Sequence, residues 1–168
     1  MVDLHCHSCY SLLDGASFPE ELVDRALELG YQALALTDHN GLYGSMEFAR
    51  YAEEKGLQAI TGAEVTLEDG AHLTLLAESP AGYANLCRLL SLAHRESERR
   101  APRLPYAALP EHAEGLIALS GCRNGEIPRL LDSGRVGEAE RAAARCREWF
   151  GPERFFLELQ QNLVRGDT

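Results

Sequence analysis

Short apolar runs alternate along this chain with longer stretches in which apolar residues recur at helical spacing. Residues 2–6 read as a first strand. Ser17 stands where a helix cap is needed, with Pro19 in the first turn and Glu20 three residues beyond the cap to complete a capping box. Leu22, Ala26 and Leu29 give that helix its apolar stripe, and Gly30 ends it. Residues 33–36 form a second strand that runs into Thr37-Asp38-His39-Asn40-Gly41, and a helix over 45–55 stops at Gly56. A third strand lies within 58–67 and a fourth at 72–77, with only Glu68-Asp69-Gly70-Ala71 between them. A parallel crossover needs a dozen residues or more, so these two strands should pair as an antiparallel hairpin. Ser79-Pro80 opens a helix to about residue 94 that buries Leu86, Leu89 and Leu90. Residues 95–105 read as a loop within the domain. A fifth strand at 116–120, a helix at 136–150 and a sixth strand at 155–159 follow.

This alternation predicts an α/β fold with a largely parallel sheet, open or curled into a barrel. In both forms ligands gather at the C-terminal ends of the strands. Polar residues stand at those ends: His5 and His7 after the first strand, Asp38-His39 after the second, Glu64 late in the third, Cys122 after the fifth. Four strand ends thus converge on one chemistry.

Residues i and i+2 of a strand share a face, so His5 and His7 can grip one ion while Cys6 points away. Imidazole suits zinc, manganese or iron, and carboxylates bridge such ions. Asp14, in Leu13-Asp14-Gly15, adds a short carboxylate in a polar turn. His39 reads as a ligand and Asp38 as the carboxylate that orients it. Glu64 is a charge inside an apolar strand, and a lone buried carboxylate costs several kcal/mol unless it is paired or bound to metal. His72 can be placed by register. With Glu68-Asp69-Gly70 as a three-residue loop and Gly70 in the left-handed bulge position, Thr66 faces His72, and Glu64 lies diagonal to His72 on the same face. A two-residue loop would put them on opposite faces. His94 and His112 read as surface residues, Trp149 as core, and Glu158 as either rim or site.

Charge and cysteine count narrow the picture. Lys and Arg number 16 against 26 Asp and Glu, a formal charge of −10, so no global field draws in nucleic acid. The arginines at 95, 99, 100 and 103 run against that trend as a solvated stretch. Apolar runs such as 73–77 are too short to span a bilayer. The N-terminus lacks a basic region and an apolar signal core. Five scattered cysteines, Cys6, Cys9, Cys87, Cys122 and Cys146, therefore read as free thiols in a reducing cytoplasm.

With these residues in hand, the chain resembles the PHP (polymerase and histidinol phosphatase) domain at the N-terminus of bacterial C-family DNA polymerase III alpha subunits. The resemblance runs over nearly the whole chain. It rests on His5-Cys6-His7-Ser8 with Leu13-Asp14-Gly15, on Thr37-Asp38-His39-Asn40-Gly41-Leu42-Tyr43-Gly44, and on Gly62-Ala63-Glu64. It continues through His72-Leu73-Thr74-Leu75-Leu76-Ala77, Gly82-Tyr83-Ala84-Asn85-Leu86, Leu119-Ser120-Gly121-Cys122, Gly125-Glu126-Ile127 and Phe156-Leu157-Glu158-Leu159. Asn40 to Gly44 and the ending 160–167 are most similar to the error-prone branch.

The resemblance implies a single PHP domain over 1–168, a distorted (β/α) barrel with six of its seven strands in this chain. It implies up to three divalent metals (zinc, manganese or iron): the first on His5, His7 and Glu64, the second on Glu64, His72 and Cys122, the third on Asp14 and His39. Glu64, His39 and Asp38 would be the catalytic residues. The activity implied is metal-dependent phosphoester hydrolysis, of the 3′–5′ exonuclease kind, at a DNA 3′ end in replication and repair. The partner implied is the remainder of the alpha subunit. The seventh strand, with an Asp-x-His, lies outside the chain, as does the polymerase core. The chain thus reads as a fragment that cannot polymerise and whose open sheet edge can self-associate. Two alternatives stand beside this reading: a free-standing phosphomonoesterase, and a non-catalytic module that metal stabilises.

Overall fold

A computed structural model of the protein describes residues 2–98 and 101–160. The elements run β1 (Val2–Cys6), α1 (Pro19–Glu28), β2 (Ala33–Leu36), α2 (Ser45–Lys55), β3 (Gln58–Thr66), β4 (His72–Ala77), α3 (Pro80–Glu96), α4 (Ala108–Glu111), β5 (Leu116–Leu119), α5 (Glu126–Asp132), α6 (Val136–Phe150) and β6 (Phe155–Phe156). All six strands join one sheet in chain order. β1 with β2, β2 with β3 and β5 with β6 pair parallel, whereas β3 with β4 and β4 with β5 pair antiparallel. Hence β4 alone is reversed. Its first residue, His72, lies beside the last residues of its neighbours, and that reversal carries a fourth imidazole to the C-terminal edge.

The sheet curls into a half-barrel, with helices on its convex side. Strand alternation sorts the side chains. Leu34 and Leu36 of β2 pack outward with Val23 and Ala26 of α1 and Phe48 and Ala52 of α2. Ala63 and Val65 of β3 and Leu75 of β4 pack outward with Leu86, Leu89 and Leu90 of α3 and Phe150 of α6. Ala35, Leu76 and Leu119 form a smaller cluster of their own. Leu4, Ile60, Leu76, Ile117 and Leu119 line a cavity of about 1170 Å³ that reaches from β1 to β6. Among the described residues β1 and β6 do not pair with each other.

The structure corrects several boundaries. Phe18, not Ser17, occupies the cap of α1, and its N–H donates to Glu21 Oε2 at 2.8 Å, so Glu21 rather than Glu20 closes the turn. The cause is local: the Ser17 carbonyl is committed to the Cys9 N–H, and Pro19 takes the first helical position. Leu29 is half-exposed because it falls at the C-cap, and the buried stripe is Pro19, Val23 and Ala26. The fifth strand stops at Leu119 and the sixth is only Phe155–Phe156. Helices α4 and α5 went unread because four and seven residues are too few to show a helical period. Near the end of the segment 95–105, Leu104 is fully buried and bridges Leu67. Arg99, Arg100 and the ending from 161 onward lie outside the described residues.

Candidate metal centre

The centre forms around Glu64, whose side chain is 1% exposed. Its neighbours Ala63 and Val65 belong to the outer core, so β-alternation turns Glu64 inward to the concave edge. Each oxygen has its own set of partners. Oε1 lies 2.7 Å from His72 Nδ1 and accepts from Cys122 Sγ at 3.1 Å. Oε2 lies 3.0 Å from His7 Nε2, 3.3 Å from His5 Nε2 and 3.5 Å from His39 Nδ1. Despite those distances, Oε2 and His7 Nε2 are both buried with no hydrogen-bond partner among the described residues. Imidazole nitrogens crowd one carboxylate oxygen without aligning on it.

The hairpin register explains how His72 arrives. Gly70 has φ +83°, Thr66 pairs with His72, and Glu64 pairs with Thr74, leaving Glu64 diagonal to His72 as the three-residue loop requires. Cys122 is held by the loop before α5. The His72 N–H donates to the Asn124 carbonyl at 3.1 Å. Gly121 has φ +82°, and a Cβ there would sit 2.7 Å from the His72 carbonyl oxygen. Only glycine lets this loop lie so close to β4. Cys122 Sγ is 3.7 Å from His72 Nδ1, completing a triangle with Glu64.

Asp14 closes the other side. Its Oδ2 lies 2.8 Å from His7 Nδ1 and 2.8 Å from His39 Nε2. His7 and His39 therefore each reach Asp14 through one ring nitrogen and Glu64 through the other. Three sets of ligand atoms lie mutually within 4.8 Å: His5, His7 and Glu64; His7, Asp14 and His39; His39, Glu64 and His72. His5, His7 and Glu64 come together in one set, Asp14 and His39 share theirs with His7, and His72 shares its set with His39 and Glu64, while Cys122 joins none of the three.

Charges respond accordingly. Burial acts to raise the Glu64 carboxyl, but His5, His7 and His72 outweigh it and hold it far below the usual carboxylate range. Burial acts to lower His5, yet Glu158 and Glu64 raise it to about 9. His7 is raised the same way, by Glu64 and then Asp14 against burial. Asp14 is lowered by His39 and His7. Burial and then the Glu64 charge push the Cys122 thiol up to about 12. The carboxylates thus favour protons on His5 and His7, and a divalent cation can take over that electrostatic role. The donor set fits one. It comprises imidazoles, carboxylates and a thiol, and it includes buried lone pairs that no hydrogen bond uses.

The pattern of the PHP domain family matches residues 3–162. The chain belongs to the PHP family. This PHP domain is 50% identical, over 99% of its length, to an error-prone DNA polymerase of Symbiobacterium thermophilum, covering 17% of that protein. It is 41% identical, over 96% of its length, to a DNA polymerase III subunit alpha of Treponema pallidum, covering 15% of that one. It thus spans less than a fifth of these relatives. A solved two-domain Bacteroides vulgatus protein containing a predicted PHP-like metal-dependent phosphoesterase matches with TM-score 0.50 and 18% identity, over 86% of this chain and 48% of that one. That likeness is one of fold.

Asp38 of this PHP domain takes a different place from the one expected. It is 2% exposed, and its partners among the described residues are not imidazoles but the loop after β1: it accepts from the Ser8 N–H, Ser8 Oγ and Ser11 Oγ, each at 2.7 Å. Ser11 Oγ in turn accepts from the His39 N–H at 3.0 Å. Asn40 holds the same edge by exchanging two bonds with Thr66. His94, although exposed, places Nε2 2.7 Å from the Asn40 carbonyl oxygen. Sequence reading gave Ser8, Ser11 and Asn40 no role, because polar residues in turns carry no local mark of what they bind, and it placed His94 at the surface. Glu158 belongs to the site, with Oε1 2.7 Å from His5 Nδ1. Its signal was the one that marked Glu64, a carboxylate set among apolar strand residues.

Proposed function

We propose that this PHP domain is a metal-dependent phosphoesterase module of a longer error-prone bacterial DNA polymerase, hydrolysing phosphodiester bonds at a DNA 3′ end. One observation carries the metal part of this reading: Glu64 Oε2 is buried, crowded by His5, His7 and His39, and unsatisfied by any hydrogen bond among the described residues. A buried polar atom left so costs about 1–3 kcal/mol, and a cation removes the deficit. Identity with error-prone polymerases over nearly the whole chain supports the DNA substrate and the remainder of the alpha subunit as partner. His5, His7 and Glu64 would hold one ion, Glu64, His72 and Cys122 a second, and Asp14 with His39 a third. Zinc, manganese and iron all suit such ligands.

A bound divalent metal would supply Lewis-acid activation of water and charge for the phosphoester oxygens. The chain's own residues do the rest. Glu64 spans the ligand sets through its two oxygens and fixes their spacing. Asp14 locks the rings of His7 and His39, and Asp38 holds the loop that carries Asp14.

The test measures zinc, manganese and iron in protein prepared without chelator, together with mononucleotide release from a 3′-ended single strand. Bound metal and chelator-sensitive release are expected. Glu64→Gln should lower metal affinity by more than about 100-fold, since even partners that merely orient a ligand contribute about 10–100-fold. Absence of metal, or release unchanged by Glu64→Gln, overturns the proposal. Bound metal without release would leave a metal-stabilised module and remove the exonuclease reading.

A further inference from the structure

His5 presents two ring nitrogens to two different carboxylates. Nε2 faces Glu64 Oε2 at 3.3 Å, and Nδ1 lies 2.7 Å from Glu158 Oε1. Both side chains of the second pair are mostly buried, at 6% exposure for His5 and 12% for Glu158. Glu158 sits two residues past β6, at the far end of the sheet from β1. The curl of the half-barrel alone brings it to His5. Its backbone is pinned, because the Glu158 N–H donates to Ser120 Oγ at 2.9 Å. Its carboxylate is oriented as well: Gln160 Nε2 donates to Oε1 at 2.7 Å. Gln160 Nε2 and Thr74 Oγ1 also lie near His5 Nδ1, at 3.1 and 3.2 Å, both farther than the Glu158 carboxylate. The remaining oxygen of Glu158, Oε2, is buried without a hydrogen-bond partner among the described residues, so the carboxylate is not placed here for solvation.

A ring nitrogen that binds metal must offer a lone pair, which fixes the proton on the other nitrogen, and a carboxylate on that second nitrogen holds both tautomer and ring plane. We infer that Glu158 is a positioning residue: it accepts the Nδ1 proton of His5 and thereby commits Nε2, beside Glu64 and His7, to metal. This inference rests on the proposal that His5, His7 and Glu64 form a metal site. Glu158 itself joins none of the three ligand sets. It acts through His5. It also ties the two ends of the sheet together at the site, since among the described residues β1 and β6 share no ladder of their own.

The experiment uses zinc alone with the full chain. Long-range proton–nitrogen NMR of the zinc-loaded protein should show His5 with its proton on Nδ1 and its Nε2 shifted by metal. Glu158→Leu should mix the His5 tautomers and weaken zinc at this site by about 10–100-fold in chelator competition. Glu158→Gln keeps an acceptor oxygen, so it should preserve the Nδ1–H tautomer and lose only a few-fold. A melting transition for each variant separates misfolding from a local effect, and the wild-type tautomer stands as a readout if Glu158→Leu does not fold. A proton on Nε2 in the loaded wild type overturns the inference. So does zinc affinity unchanged in a folded Glu158→Leu. His7→Ala serves as the reference for the underlying reading: if it too leaves zinc affinity unchanged, the metal site itself has failed, whereas loss in His7→Ala alone refutes only the role of Glu158.

Discussion

Asp38 offers the sharpest test of how this edge is built, because its two simplest replacements should differ. The carboxylate is buried and accepts three bonds at 2.7 Å, from the Ser8 N–H and Ser11 Oγ through Oδ1 and from Ser8 Oγ through Oδ2. Ser8 and Ser11 are themselves essentially inaccessible. Asp38→Ala deletes all three bonds. It strands the Ser8 N–H, while Ser11 Oγ keeps its bond from the His39 N–H and both hydroxyls can rotate. One orphaned amide at about 1–3 kcal/mol, plus two lost charge-assisted bonds, places the cost at about 3–5 kcal/mol. Asp38→Asn keeps Oδ1 for Ser8 N–H and Ser11 Oγ. Its amide N–H₂ can donate to Ser8 Oγ, which still has a lone pair beyond the one that accepts from the Tyr10 N–H. The Ser8 N–H and Ser11 Oγ stay paired, while the Ser8 hydroxyl proton loses its acceptor and must turn to another, so the cost falls to about 1–3 kcal/mol. Urea unfolding of the metal-free protein measures both. An alanine variant costing less than about 1 kcal/mol, or the two variants costing the same, would refute this account. Both should also loosen Asp14, whose turn follows from Ser11 through the Asp14 N–H and Gly15 N–H bonds to the Ser11 carbonyl.

Two further outcomes follow from the site. Cys122→Ser should weaken zinc by at least about tenfold, whereas Cys6→Ser should leave it unchanged, because Cys6 packs with Val23, Leu36 and Phe48 on the opposite face of the sheet; equal loss in both variants, by chelator competition, would refute the strand-face argument. The metal-free protein should lose stability toward alkaline pH. His5 is raised from 6.5 to about 9 in the fold, so its contribution is complete below pH 6.5 and lost as pH rises through about 9, an effect of about 3 kcal/mol. Zinc affinity should climb over the same window as the competing proton leaves. Thermal melts of the metal-free protein that are flat from pH 6.5 to 9 would contradict it.

Local pattern was enough to assign most elements of this PHP domain and the seven ligand candidates. The reasons are short-range: alternation sends Glu64 away from Ala63 and Val65, and a three-residue loop closing on Gly70 sets the His72 register. The short connection to β4 forced a hairpin whatever the rest of the fold did. What tertiary structure alone decided is which of those groups meet. Asp38 looks like a partner for its neighbour His39, yet it turns to Ser8 and Ser11, because the loop after β1 crosses the end of β2 and brings unpaired donors to it. Glu158 was ambiguous for the opposite reason. Its strand lies five strands from His5 in the sheet, and no spacing along the chain encodes how tightly that sheet curls. Curvature is summed over every strand pair, so the distance across the mouth of the half-barrel is a property of the whole packed sheet. That distance makes a residue near position 158 a neighbour of one at position 5.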